Sequence, residues 1–270
     1  MTGVLNQEWS FTADELAALA LRTSGPGSPA VLGLRPRHAT LDVRDAALSE
    51  AVNALSRRGV IIDGLVEPEL VTVLHALQRP DRELVMRLVT PAGIGRSSVV
   101  RRGPLCVMAR RVGEQLDVRV LGVNIALSEV AAALLGDMPS AHPAAIDPVG
   151  APLSDITDAL SESHDPLVLA DRIRALGVQQ RAAALLGAAL GSRQAFGEIV
   201  YSALVDGEDR IVRVPAAVAV MYTARGRVIA VPSVSPSGQL WSTLKPGSDQ
   251  VFGQAMSQLA QLSTERWEGG

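Results

Sequence analysis

The sequence predicts an α+β fold, a mostly antiparallel central sheet flanked by helices, and two observations carry that prediction. Short runs rich in β-branched residues follow one another across glycine or proline turns; strands joined so tightly pair antiparallel, since a parallel pair needs a crossover of about a dozen residues. The order helices, about four strands, then a helix occurs twice along the chain, which points to two pseudo-repeated αβ halves that share one sheet.

In the first half, Thr12-Ala-Asp-Glu15 is a capping box: the Thr12 hydroxyl and the Glu15 carboxylate satisfy N–H groups that the first helical turn leaves open. Leu16, Leu19 and Ala20 then line one face of a short helix. Pro26, Pro29 and Pro36 enclose an extended piece over 30–34. From 40 to 58, Leu48, Ala51, Val52 and Leu55 follow helical spacing, and Gly59 sits where a C-terminal cap belongs. Pro68 opens a third helix, where its missing N–H has no partner to lose, and Leu70, Leu74 and Leu77 form the buried face. Strands follow at 84–90, 97–102, 105–111 and 115–123. In the last of these Leu116, Val118 and Val120 alternate with Asp117 and Arg119, the period of a strand with one wet face. A helix over 128–135 closes the half.

Residues 136–153, rich in proline and alanine, have neither period and read as a linker. The chain is therefore expected to be one domain over 1–270, with αβ halves at 1–138 and 154–263 and the linker at 139–153. Beyond it Asp165-Pro166 starts a helix whose face is Leu167, Ala170, Ile173 and Leu176, and Gly177 stops it. Val178, Ala182, Leu185, Leu186 and Ala189 make the next helix, ended by Gly191. Strands are expected at 194–205, 210–223, 226–234 and 239–244, the middle pair joined by the tight turn Ala224-Arg225-Gly226. Ser248 and Asp249 cap a final helix carrying Val251, Phe252, Ala255, Met256, Leu259 and Leu262.

Composition narrows the function. At 47% hydrophobic and 20% charged, 270 residues can bury a core that needs no metal or disulfide staple. A net charge of −3, 3% aromatics and no basic run argue against a nucleic-acid partner. Cys106 is the only cysteine, which excludes an intramolecular disulfide and suits a reducing compartment. The opening MTGVLNQEWS has no positive stretch before an apolar core, and the longest apolar runs are far short of a bilayer span, so a cytoplasmic protein with no membrane insertion is expected.

The motifs of catalysis are missing from the sequence. His38, His75, His142 and His164 are scattered, with no second histidine or cysteine at a metal spacing. Cys106 lies in an expected strand beside Val107 and Met108, the place of a small core residue and not of an activated thiolate. The stretch from Pro91 to Ser98 has glycines but lacks the Gly-Lys-Ser/Thr ending of a phosphate loop, and a strand follows it where a helix N-terminus would be needed. There is no G-x-S-x-G elbow. No catalytic, cofactor or metal residue is expected, and a binding surface is the better reading.

Several segments, in order, resemble the EspG family. They are Leu32-Gly-Leu-Arg-Pro36, Arg57-Arg-Gly-Val60 and Val99-Val-Arg-Arg-Gly103 in the first half. In the second they are Glu198-Ile-Val200, Arg225-Gly-Arg-Val-Ile-Ala-Val-Pro232, and Leu240-Trp-Ser-Thr-Leu-Lys-Pro-Gly-Ser248 before an amphipathic helix. The likeness runs over about residues 4–262, and it lies in the order of the motifs more than in any one of them. It implies a central antiparallel sheet between N- and C-terminal helical bundles related by a pseudo-twofold. It also implies a cytosolic chaperone of type VII (ESX) secretion, which grips a PE–PPE heterodimer at the PPE tip and delivers it to the secretion machinery. The family's grip uses the sheet, a loop between two strands of the first half, and the C-terminal bundle. By resemblance that loop is Pro91 to Ser98, with Gly93, Ile94, Arg96 and Ser98 as contacts, and the sheet contributes Val231, Ser233, Val234 and Ser235. Gly93, Ile94 and Arg96 are expected to become ordered on binding, and the free protein to be a monomer or a weak homodimer. A helical tip with exposed apolar side chains is an aggregation hazard, and a surface of about 800 Å² per partner would cover it. The alternatives are an α+β enzyme whose site is not readable from sequence, and a structural subunit of a larger assembly.

Overall fold

A computed structural model describes residues 7–23, 30–34, 38–205 and 208–268. In chain order the elements are β1 (Glu8–Phe11), α1 (Ala13–Arg22), α2 (Leu41–Arg57), β2 (Ile61–Ile62), β3 (Leu65–Val66), α3 (Pro68–Gln78), β4 (Arg82–Thr90), β5 (Gly93–Arg102), β6 (Leu105–Val112) and β7 (Gln115–Val123). They continue with α4 (Leu127–Gly136), β8 (Val149–Pro152), α5 (Leu153–Leu160), α6 (Pro166–Ala175), α7 (Gln180–Gly191), β9 (Arg193–Leu204), β10 (Ile211–Arg213), β11 (Val218–Thr223), β12 (Gly226–Val234), β13 (Leu240–Pro246) and α8 (Asp249–Gln261). The expected α+β class, with a large antiparallel sheet, is what these elements build. They form two compact units, 1–85 with 95–125, and 86–94 with 126–270.

In the first unit β5, β6 and β7 form an antiparallel ladder, and β1 pairs with the free side of β7. Residues directly opposed across a ladder share a face. Val100, Val107 and Val120 therefore point one way together, as do Ala109 and Val118, toward a core filled from α1, α2 and α3 by Leu16, Leu19, Leu55, Leu70, Leu74 and Leu77. Each fully buried leucine contributes roughly 2 kcal/mol. The capping box holds as expected, with the Thr12 N–H donating to Glu15 at 2.8 Å and the Glu15 N–H to the Thr12 hydroxyl at 3.2 Å. Arg58 joins three elements: it reaches Glu15 at 3.1 Å and the Ser10 carbonyl at 2.6 Å, and lies over the Phe11 ring. Ala30–Leu32 is a 3-10 turn where an extended piece was expected, and Pro26, Pro29 and Pro36 lie outside the described residues.

In the second unit the antiparallel order is β9–β11–β12–β13–β8, with β10 paired to β9. The register aligns Glu198, Ala219, Ala230 and Leu244 in one row across four strands, and Phe196, Met221 and Val228 in the next. This face packs on α5, α6 and α7 through Ile156, Leu169, Ile173 and Leu186. Ile229 and Val231 alternate to the opposite face of β12, against which α8 packs. The run 210–223, expected as one strand, is two: Pro215 has no N–H for the ladder and separates β10 from β11.

Two expected helix faces are rotated. Leu167, assigned to the core, is 77% exposed, while Leu169 and Ile173 are buried. On α7 the buried set is Ala183, Leu186, Gly187, Ala189 and Leu190: Leu186 and Ala189 are buried as expected, while Ala183 and Leu190 take the place of Ala182 and Leu185. Gly187 sets that phase, because a Cβ there would stand 2.7 Å from the Ala170 nitrogen and the Pro166 carbonyl of α6.

The expected linker at 139–153 is instead laid into the second unit. The Arg227 N–H donates to the His142 carbonyl at 2.7 Å, and the Ala144 N–H to the Arg227 carbonyl at 3.0 Å. Ala144, Ile146, Val149 and Ala151 are buried in that unit's core, β8 pairs with β13, and α5 begins at Leu153. The helix α4, expected to close the first half, also groups with the second unit and packs on α8. Behind α8 the chain's end is anchored: Trp267 is fully buried, and Glu268 accepts the Leu127 N–H at 3.2 Å at the start of α4.

Candidate binding groove

The row Glu198–Ala219–Ala230 has two of the smallest side chains beside its acid, so the sheet surface sinks there. Ile156 and Leu160 of α5 wall one side, and the segment Val214–Ala217 between β10 and β11 walls another. The result is an open groove of about 620 Å³ in the second unit, with an apolar floor of Phe196, Ala219, Met221 and Ala230. Its charged lining among the described residues is Arg193, Glu198 and Arg213. Arg193 is engaged, its guanidinium over the Phe196 ring and 3.4 Å from His164 Nδ1. Glu198 is half-buried and Arg213 exposed, and neither has a hydrogen-bond or ion-pair partner among the described residues. A second groove, about 570 Å³, runs between α4 and α8 over Ala131, Ala132, Gly253 and Ser257.

The buried charges lie elsewhere and are satisfied. Arg227, 2% exposed, donates from Nε to the Gly247 carbonyl at 2.6 Å and from its terminal nitrogen to Asp249 at the start of α8. Beside it the Tyr222 hydroxyl is buried; burial raises its pKa, with the Arg227 guanidinium opposing and the Asp249 carboxylate adding to the rise. On β4, burial raises the pKa of Glu83, and the Ser98 hydroxyl donates to it at 2.6 Å, a contact that favours the charged form and partly offsets the rise. Among the described residues no cluster of histidine, cysteine and carboxylate could hold a metal ion. No described helix is long and apolar enough to cross a membrane.

The residues expected to touch a partner fall into two groups on separate strands. Pro91 to Ser98 is not a loop. Only Pro91 and Ala92 form the turn, and Gly93, at φ +136°, a value side chains avoid, begins β5 at once. Gly93 and Ile94 are exposed at the hairpin end. Arg96 lies half-buried with its guanidinium against Gly33, and Ser98 is fully buried on Glu83. On β12, Val231 is buried, Ser233 half-buried, and Val234 and Ser235 lead into the exposed turn to β13. The residue of β12 that lines the groove is Ala230, the neighbour of Val231. Sequence reasoning missed the groove because six separate elements, α5 and β9 to β13, build it; the alternation of β12 against β11 was the one signal that could have indicated its face.

The fold is thus an antiparallel-sheet α+β protein with an open apolar groove on its sheet and with Arg227 engaged inside the fold. The EspG family model matches residues 12–258, and the chain belongs to the EspG family. It is 27% identical over 256 residues to the ESX-1 secretion-associated protein EspG1 of Mycobacterium tuberculosis, covering 93% of this chain and 86% of that one. It is 26% identical over 260 residues to the ESX-3 secretion-associated protein EspG3 of Mycolicibacterium smegmatis, covering 95% and 88%. The fold matches that of the Mycobacterium tuberculosis type VII secretion system chaperone EspG5, solved in complex with a PE25–PPE41 dimer. The TM-score is 0.82 at 18% identity, over 97% of this chain and 99% of that one.

Proposed function

We propose that this protein is a cytoplasmic chaperone that binds a PE–PPE heterodimer at the tip of the PPE helical bundle, keeps it soluble and delivers it to a type VII (ESX) secretion system. Family membership over 12–258 carries the reading, and the groove gives it a physical site. An exposed apolar tip seated on Phe196, Ala219 and Met221 is removed from water at roughly 25 cal/mol per Å². Further contacts are assigned by family likeness to Gly93, Ile94, Arg96 and Ser98 on β5 and to Val231, Ser233, Val234 and Ser235 on and after β12; Gly93, Ile94 and Val234 are the exposed ones. The free protein is a monomer or a weak homodimer, and it acts by binding and release, without catalysis or a cofactor. No observation favours the alternative of an α+β enzyme.

Co-expression tests this. A tagged chain produced with each PE–PPE pair of its source genome should retain at least one pair as a soluble 1:1:1 complex. Recovery of every pair as insoluble protein, with the tagged chain alone in solution, would refute it.

A further inference from the structure

We infer that the groove selects its guest by charge as well as by fit, Glu198 taking a basic side chain and Arg213 an acidic one on either side of an apolar plug. The inference rests on the groove being the guest site. Glu198 stands in a row with Ala219 and Ala230, whose methyl groups leave its carboxylate in a recess, half-buried and without a partner among the described residues. A guest that covers this acid without supplying a donor leaves a desolvated carboxylate, which is costly and so works against purely apolar or acidic partners. A lysine or arginine on the guest removes that penalty and adds a charge-assisted hydrogen bond.

Arg213 supplies the opposite sign. Its partner in the β10–β9 register is Ser202, which shares a face with Glu198 four residues away, about 13 Å along the strand. That distance exceeds the Debye length of about 8 Å at physiological salt, so the two charges do not neutralise each other and each is open to the guest. Arg193, the other cation of the lining, is held by Phe196 and His164 and does not compete for Glu198. A groove negative in its recess and positive at the β10 end orients its occupant: a helical tip with its basic residue toward Glu198 and its acidic residue toward Arg213 is accepted, and the reversed arrangement meets like charges.

The probe is the PE–PPE pair retained by the wild-type chain in co-expression. E198K and R213E should each weaken that pair by about tenfold or more, and E198Q by less. Melting temperatures should stay at the wild-type value, since neither side chain has a partner among the described residues. Reversing one basic residue of the guest's tip to glutamate should restore the affinity of E198K. If the wild-type chain retains a pair and E198K and R213E bind it equally well, the charge selection is wrong and the chaperone reading stands. If no pair is retained by the wild-type chain, the chaperone reading fails and the inference fails with it.

Discussion

The Tyr201 hydroxyl donates to the Glu265 carbonyl at 2.8 Å, which fixes the segment after α8 to β9. Two residues on, Trp267 is fully buried and Glu268 caps α4. Trp267→Ala should cost about 3–5 kcal/mol, the usual range for deleting a buried aromatic. Tyr201→Phe, which loses the hydrogen bond to the Glu265 carbonyl, should cost about 1 kcal/mol. Urea unfolding followed by far-UV circular dichroism measures both, and a Trp267→Ala loss smaller than that of Tyr201→Phe would contradict the anchored end.

Arg227 and Asp249 are an unequal pair, the guanidinium 2% exposed and the carboxylate 75%. An exposed acid seldom matters by more than about 1 kcal/mol. Here Asp249→Asn keeps an acceptor but takes the counter-charge from a buried cation, which also donates to the Gly247 carbonyl, and the expected loss is about 1.5–3 kcal/mol. Arg227→Met with Asp249→Asn should cost less than the sum of the single changes, because the cation that needed the acid has gone. A thermal double-mutant cycle decides it, and strict additivity would show the contact to be idle.

Glu83 gives a pH signature. Its carboxyl is held above the ordinary value of 4.5, chiefly by burial, so the folded state binds its proton more tightly than the unfolded state does. Stability from this group is therefore full below 4.5 and falls as pH rises through the raised folded value, with no further change above it. Glu83→Gln removes that slope. The difference between the two stability curves should decline across this window alone, and parallel curves would refute the assignment.

Two glycines should respond to alanine with opposite signs. At Gly187 a Cβ would sit 2.7 Å from the α6 backbone, so Gly187→Ala must part α6 and α7 and should cost about 1–3 kcal/mol. At Gly253, mid-helix on α8, a Cβ meets nothing within 4 Å, and Gly253→Ala should stabilise by up to about 1 kcal/mol. Differential scanning calorimetry of the pair checks both, and shifts of the same sign would count against the packing described.

Local chemistry was legible where it is local. Thr12 and Glu15, Pro68, Asp165 and Ser248 mark helix starts that the structure reproduces, since a cap acts within one turn. The alternation over 115–123 marked β7 for the same reason. What distant residues decide was not legible. The phase of α7 depends on how closely Gly187 approaches α6, and the proline-rich 139–153 gains its order from Arg227 and β13. At the candidate site, resemblance led to β5 and β12, yet Ser98 and Val231 face inward, and the recess at Glu198 exists only once β9, β11 and β12 are in register.

The segment from His142 to Pro152 finds its long-range backbone partners on strands made much later, Arg227 on β12 and 241–244 on β13. During synthesis at about 5–20 residues per second it must wait several seconds for them. Until β13 clears the ribosome, Ile146 and Val149 stay in water and the second core stays open at one edge. The protein thus passes through a vulnerable interval of its own, and substitutions that slow the arrival of β12 or β13 should lower its yield in the cell before they alter the finished molecule.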